Sequence, residues 1–298
     1  MSKKITRENL NINDYRMIKI NKHTIIFNYV LISDYINEFK KNKIAIIDYE
    51  GSMFPPGWIA KNKKCKAYAK NFNALPFFVG IKVIEYDLNK DEFIINNRSL
   101  EYFYKEKIYS LDHLDVKIKR LCKEVKKFVE NNKVNMLVTM GGQLEEQVSL
   151  FAKNKHKIDI NTTFKDLWKI LDFRFANICI LGLLNRFTLN DLLASFRVDK
   201  NSNPFISGKE IAEKTMKYYF VKKTSKKEFL ETVNKIIQHN RNDLEVGLLI
   251  LNWLNSLIKI KSCTAVPVDL FYGESFDLDI WNLKDFIYKN FFEILFIY

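Results

Sequence analysis

The sequence has little of the residues that make loops and linkers. Only 9 glycines and 5 prolines occur in 298 residues, so long flexible linkers are not expected. There are no internal repeats and no low-complexity segment, which excludes solenoids and arrays. Cysteine is sparse too. Cys65, Cys122, Cys179 and Cys263 are widely spaced and form no CxxC pair. A zinc site or a disulfide framework is therefore not expected, and reduced, mostly buried thiols are. No apolar stretch reaches the ~18 residues that a bilayer span requires. The very apolar segment 286–298 is short and carries Lys289 and Glu293, as a docked terminal helix would. Residues 1–10 are polar and charged, without the apolar region of a signal peptide. The expectation is a cytoplasmic protein without membrane contact. A GxxxxGK[ST] phosphate loop is also missing, and so are helicase and polymerase signatures.

What is present supports a folded domain. Hydrophobic residues make up 47% and aromatics 14%, enough for a sizeable core, in one large domain or two small ones. The net charge of +13 favours a polyanionic partner, because Lys and Arg displace counterions from phosphates. Solubility and an AT-rich coding bias would also enrich lysine, so charge speaks to partners and not to fold.

The apolar run 23–30 precedes a helical pattern over 33–40. Segment 44–49 is continuous and β-branched, as a central buried strand is. A loop with Gly51, Pro55, Pro56 and Gly57 follows. Strands are expected at 77–86 and 92–96, joined by a polar hairpin turn at 87–91. Segment 111–131 places Leu114, Ile118, Leu121 and Val125 at helical spacing. A further strand, 134–140, closes on Gly141-Gly142 and leads into a helix with Leu144, Val148 and Phe151 on one face. Beyond Phe164 the pattern is mainly helical, with helices expected over 188–196, 208–219 and 228–257. Antiparallel strands followed by a crossover helix imply an α/β fold with a mixed sheet flanked by helices.

Three places carry acids in telling positions. In Asp48-Tyr49-Glu50, strand alternation sends both acids to one side at the exit of an apolar strand. Neighbouring carboxylates repel unless a cation neutralises them, and oxygen-rich sites suit magnesium or manganese. The same acids could instead project into solvent beyond the strand end. In Gly141-Gly142-Gln143-Leu144-Glu145-Glu146, a strand turns into a helix whose first turn is acidic, which the helix dipole alone would favour. If one of these acids reaches the first strand, Glu145 lies beside the core-facing side and Glu146 is the alternative. In His239-Asn240-Arg241-Asn242-Asp243, helical spacing puts His239 and Asp243 one turn apart. Such a pair can serve as base and metal ligand, or be solvated surface.

Taken in order, the three resemble the motifs of the DEDD exonucleases, a ribonuclease H-like superfamily. "AIIDYEG" resembles the first motif, "VTMGGQLEEQ" the second and "IIQHNRNDLEVGLLILNWL" the third. The closest resemblance is to a bacterial subgroup, through "ISDYINEFKKNKIAIIDYEG", "FKDLWKIL", "FTLNDLL" and "SGKEIAEKTMKYY". It covers roughly residues 33–258, which would be the exonuclease domain, with extensions at 1–32 and 259–298. The second-motif acid is Glu145 where the superfamily usually has Asp. His239 stands four residues before Asp243, where tyrosine-type members carry Tyr.

The resemblance implies a ribonuclease H-like mixed five-stranded sheet flanked by helices. It implies a 3′–5′ exonuclease that hydrolyses phosphodiester bonds of DNA or RNA by a two-metal mechanism. Asp48, Glu50, Glu145 and Asp243 would hold two divalent ions, Mg²⁺ or Mn²⁺, and His239 would orient or deprotonate the attacking water. The partner would be nucleic acid, entering as a single-stranded 3′ end. Phe54 and Arg241 are the expected substrate contacts, since base–aromatic stacking is worth ~1–3 kcal/mol per base. The competing reading is a nucleic-acid-binding module that keeps the fold and has lost catalysis.

Overall fold

A computed structural model describes residues 12–20, 23–52, 75–108, 110–171, 178–180, 210, 214–215, 217–219, 225–261 and 263–265. In chain order, β1 (Tyr15–Ile20) and β2 (His23–Asn28) pair antiparallel. Asn28 ends β2 and caps α1 (Tyr29–Lys41), its side-chain oxygen accepting from the Leu31 N–H at 2.9 Å. Next come β3 (Ile44–Ser52), β4 (Leu75–Asp87) and β5 (Glu92–Phe103). The turn between β4 and β5 is held by Asp87, whose Oδ1 accepts from the N–H groups of Asn89 and Lys90. Then follow α2 (Leu111–Asn131), β6 (Met136–Thr139), α3 (Gln143–His156), β7 (Thr163–Asp166) and α4 (Leu167–Leu171). After β8 (Ile178–Ile180), α5 (Lys226–Leu257) starts at a Ser225 cap, and β9 is Thr264–Ala265.

The main sheet has the order β5-β4-β3-β6-β7. β4 runs antiparallel to β3 and β5, whereas β3, β6 and β7 are parallel. The alternation of β3 sorts the core into two layers. Ala45, Ile47 and Tyr49 pack with Leu114, Ile118, Leu121 and Val125 of α2 and Val148 and Phe151 of α3. Ile44 and Ile46 face the other way, into Ile32, Ile36 and Phe39 of α1 and Leu244, Ile250, Leu251 and Leu254 of α5. Each such aliphatic side chain stabilises the fold by about 1.5–3 kcal/mol when fully buried. Asp48 and Glu50 continue the row of Ile44 and Ile46, and so lie on the α5 side of the sheet.

The α/β class and the mixed five-stranded sheet agree with the sequence-based expectation. The β3 strand, the β4–β5 hairpin, α2 and α5 fall where the pattern places them. β5 extends seven residues past the expected end at Asn96. Its continuation, Asn97-Arg98-Ser99, is polar because this edge strand faces solvent there. Beyond Phe164 the described residues are mainly helical, as expected, with α5 the largest part, but short strands interrupt them. Thr163–Asp166 is the fifth strand of the main sheet, and Ile178–Ile180 is also a strand. A four-residue strand with one apolar side chain gives no period for a pattern to register. A second sheet, β8-β2-β1-β9, was likewise invisible, because it joins 15–28 with short strands at 178–180 and 264–265. Segments 188–196 and 286–298 lie outside the described residues, and among those of 208–219 that are described, 210, 214–215 and 217–219 are helical. Among the described residues, no helix is long and apolar enough to cross a membrane.

Two contacts fix α5 on the sheet. Gly247 lets the helix approach Ile46 so closely that a Cβ there would lie 3.1 Å from the Ile46 side chain. Asn252 spans to the edge strand, with Oδ1 accepting from the Phe93 N–H at 2.7 Å and Nδ2 donating to the Phe93 carbonyl at 2.8 Å. Replacing Asn252 by Ala leaves both backbone groups unpaired in a half-buried position. The expected cost is about 1–3 kcal/mol, read as a lower urea midpoint with an unchanged m-value.

Candidate metal centre

The centre is built where β3 outlasts its neighbour. β6 pairs with β3 only as far as Ile46, and among the described residues no other strand pairs with β3 on that side beyond it. The Tyr49 N–H, buried there, is taken instead by the Glu145 Oε1 at 3.1 Å. Glu145 thereby completes the ladder and arrives beside Asp48 and Glu50 from the opposite layer.

The path of Glu145 is set by two glycines. Gly141 has φ +91, in the region open to glycine, and its N–H donates to the Asp166 Oδ1 at 2.9 Å. A Cβ on Gly142 would lie 2.6 Å from the Thr139 Oγ1. The chain can therefore reverse out of β6 directly into α3. Glu145 is 6% exposed, whereas Glu146 points outward to an ion pair with Lys169 at 3.2 Å. Of the two acids that the sequence left as alternatives, Glu145 is the one at the strand end.

The other side of the centre comes from α5. Asp243 is buried, and its Oδ1 has no hydrogen-bond partner. His239, one turn earlier, places Nε2 3.7 Å from the Asp243 Oδ2 and 3.9 Å from the Glu50 Oε1. Glu50, His239 and Asp243 each offer one ligand atom within 4.8 Å of the others, close enough to share a metal ion. Asp48 sits at the strand exit, half-buried, and is held by Asn240. Its Oδ2 accepts from the Asn240 Nδ2 at 2.5 Å and its backbone carbonyl from the same nitrogen at 3.1 Å.

Four carboxylates thus share one pocket of low polarity, and among the described residues no Lys or Arg is ion-paired with any of them. Burial raises all four, and their neighbours add to it. Glu50 is pushed up to about 8 by burial, then by Asp243 and Glu145. Glu145 is pushed up to about 7 by burial, against hydrogen bonds from its own backbone and that of Tyr49. Asp48 is raised by burial, Glu50 and Glu145, and Asp243 by burial and Asp48. Burial holds the His239 imidazole below its ordinary value and so favours the neutral ring. Oxygen-rich donors, a neutral imidazole and an unpartnered buried carboxylate oxygen fit a hard divalent cation.

Arg241 lies apart from this cluster. Its guanidinium binds Glu101 on β5 through Nε at 2.5 Å and Nη2 at 2.9 Å, committing two of its five donors. Phe54 lies outside the described residues. Three residues of the site were missed in the sequence: Asn240, Gly80 and Asp166. Asn240 is three residues before Asp243, a spacing that shares a helix face. Gly80 is an isolated glycine inside an apolar strand, the usual mark of a close approach. Asp166 gave no signal of its own.

The raised carboxylates make the metal-free protein pH-sensitive in one direction. In the unfolded chain these groups lose their protons near the ordinary value of 4.5, while the folded protein keeps those of Glu145 and Glu50 to about 7 and about 8. The native state therefore binds more protons between these limits, and stability falls as pH rises through them. In EDTA the melting temperature should drop from pH 5.5 to pH 8.5, less so in Glu50→Gln, and Mn²⁺ should restore it at the higher pH. A flat profile in EDTA would contradict the assignment.

The chain matches no protein-family model and no curated protein. A functional reading therefore stands on the carboxylate cluster and its surroundings.

Proposed function

We propose that this protein is a metal-dependent 3′–5′ exonuclease with a ribonuclease H-like domain, acting on DNA or RNA. The observation that carries the proposal is the meeting of Asp48, Glu50, Glu145 and Asp243, with His239, from three separated segments at the end of one strand. These residues occupy the three motif positions that resemble the DEDD exonucleases, and the mixed sheet with only β4 reversed is compatible with that fold. Mere surface acids would not be buried together without a cationic partner.

Asp48, Glu50, Glu145 and Asp243 would hold the cations, two in number by the resemblance. Mg²⁺ or Mn²⁺ bound there would supply a Lewis acid for a phosphodiester oxygen and would acidify water. The chain's own groups divide the remaining work. Glu145 and Asn240 keep the acids of the β3 exit in place through hydrogen bonds to Tyr49 and Asp48. His239, neutral because it is buried, has a ring nitrogen able to accept a proton from water, or to join Glu50 and Asp243 as a ligand. Asp48 is the most accessible of the four. The positive charge of the chain favours a polyanion, and Arg241 would meet a phosphate with the donors that Glu101 leaves over.

The test is cleavage of 3′- and 5′-labelled single-stranded DNA and RNA with Mn²⁺, Mg²⁺ or EDTA. Shortening from the 3′ end that requires metal is expected. Asp48→Ala and Asp243→Ala should each lose roughly 10³-fold or more, the rate equivalent of several kcal/mol of transition-state stabilisation. Glu146→Ala should stay within about threefold, since its side chain faces Lys169. Metal-independent binding without cleavage would instead favour a nucleic-acid-binding module.

A further inference from the structure

We propose that Asn240 and Gly80 act together as a positioning device for Asp48. This rests on the cluster being a cation site. Asn240 is 1% exposed and gives one nitrogen to both the side chain and the backbone carbonyl of Asp48. Two bonds to the same residue fix where its carboxylate points. The amide can sit only one way round, because the reverse would set its oxygen against two acceptors.

That orientation turns the Asn240 Oδ1 toward β4, where it has no hydrogen-bond partner. Gly80, the strand partner of Asp48, lies directly beneath it, and a Cβ there would be 1.7 Å from the Oδ1. The backbone gives no other reason for glycine, since Gly80 does not have a positive φ. Glycine weakens a strand, and an unpaired buried carbonyl oxygen is unfavourable. The pair is accounted for by what it does to Asp48.

The chemistry of the amide matters as well. A Lys or Arg at this place would neutralise Asp48 and compete with a divalent cation. The amide favours the carboxylate form and leaves its charge in place. Asp48 keeps Oδ1, and the remaining lone pair of Oδ2, for a cation. Outer-shell hydrogen bonds of this kind typically change metal affinity by about 10–100-fold.

The experiment is Mn²⁺ titration of the full chain, independent of any nuclease activity. Wild type, Asn240→Leu, Gly80→Ala, Asp48→Ala and the Asn240→Leu/Asp48→Ala pair are compared after circular dichroism has shown each to be folded. Asn240→Leu should weaken Mn²⁺ binding by about 10–100-fold. Gly80→Ala should weaken it in the same direction by displacing the amide, and it serves as the test if Asn240→Leu does not fold. In the Asp48→Ala background Asn240→Leu should change the affinity by less than about threefold, because the two act through one contact. Wild-type affinity in Asn240→Leu, or an equal loss in both backgrounds, would overturn the positioning role while the cation site stands. No Mn²⁺ binding by wild type would overturn both.

Discussion

Holding four carboxylates together in a low-dielectric pocket is unfavourable, and the packing of α5 across β3 and β4 is what enforces it. The helix brings Asp243 and His239 to the strand end, and its apolar face against Ile44 and Ile46 offsets the repulsion that results. The close approach at Gly247 and the clamp of Asn252 on Phe93 set its height and register. The same helix spans both layers, since Phe229, Val233 and Ile236 near its start belong with the α2 side of the core. The acids are therefore held by the centre of the fold and not by loops, which favours a preorganised site.

The layers contribute differently. From the α5 side come the groups that can share a cation: Glu50, His239 and Asp243. From the α3 side comes Glu145, threaded round the short end of β6. Asp48 stands between, steered by an amide. Without a cation, protons take the place of the missing positive charge, and on the proposed reading proton release would accompany cation uptake.

Much of this was legible in the sequence, for physical reasons. A β-branched run ending in Asp-x-Glu has a single strand reading, and its alternation put both acids on one face. The helical spacing of His239 and Asp243 was equally plain. Glu145 was preferred over Glu146 from its place beside the apolar side of α3, and Glu145 is the acid at the strand end. What could not be read was short or cross-chain. β7 and the second sheet are assembled from strands too brief to show a period. The Asn240–Gly80 contact depends on two segments 160 residues apart in sequence meeting at van der Waals distance. Arg241 was read as a substrate contact, and its carboxylate partner on β5 is one that no local pattern reveals.

The bond from the Tyr49 N–H to Glu145 has a consequence for how such a protein could drift. Asp243 leaves one oxygen unpartnered, so if the proposed cation role were absent or lost, an apolar residue there could gain stability. Glu145 has no such freedom, because its loss would strand a backbone donor that β6 is too short to reach. In a lineage without that role, Asp243 would be expected to erode first and Glu145 to persist for its backbone contact.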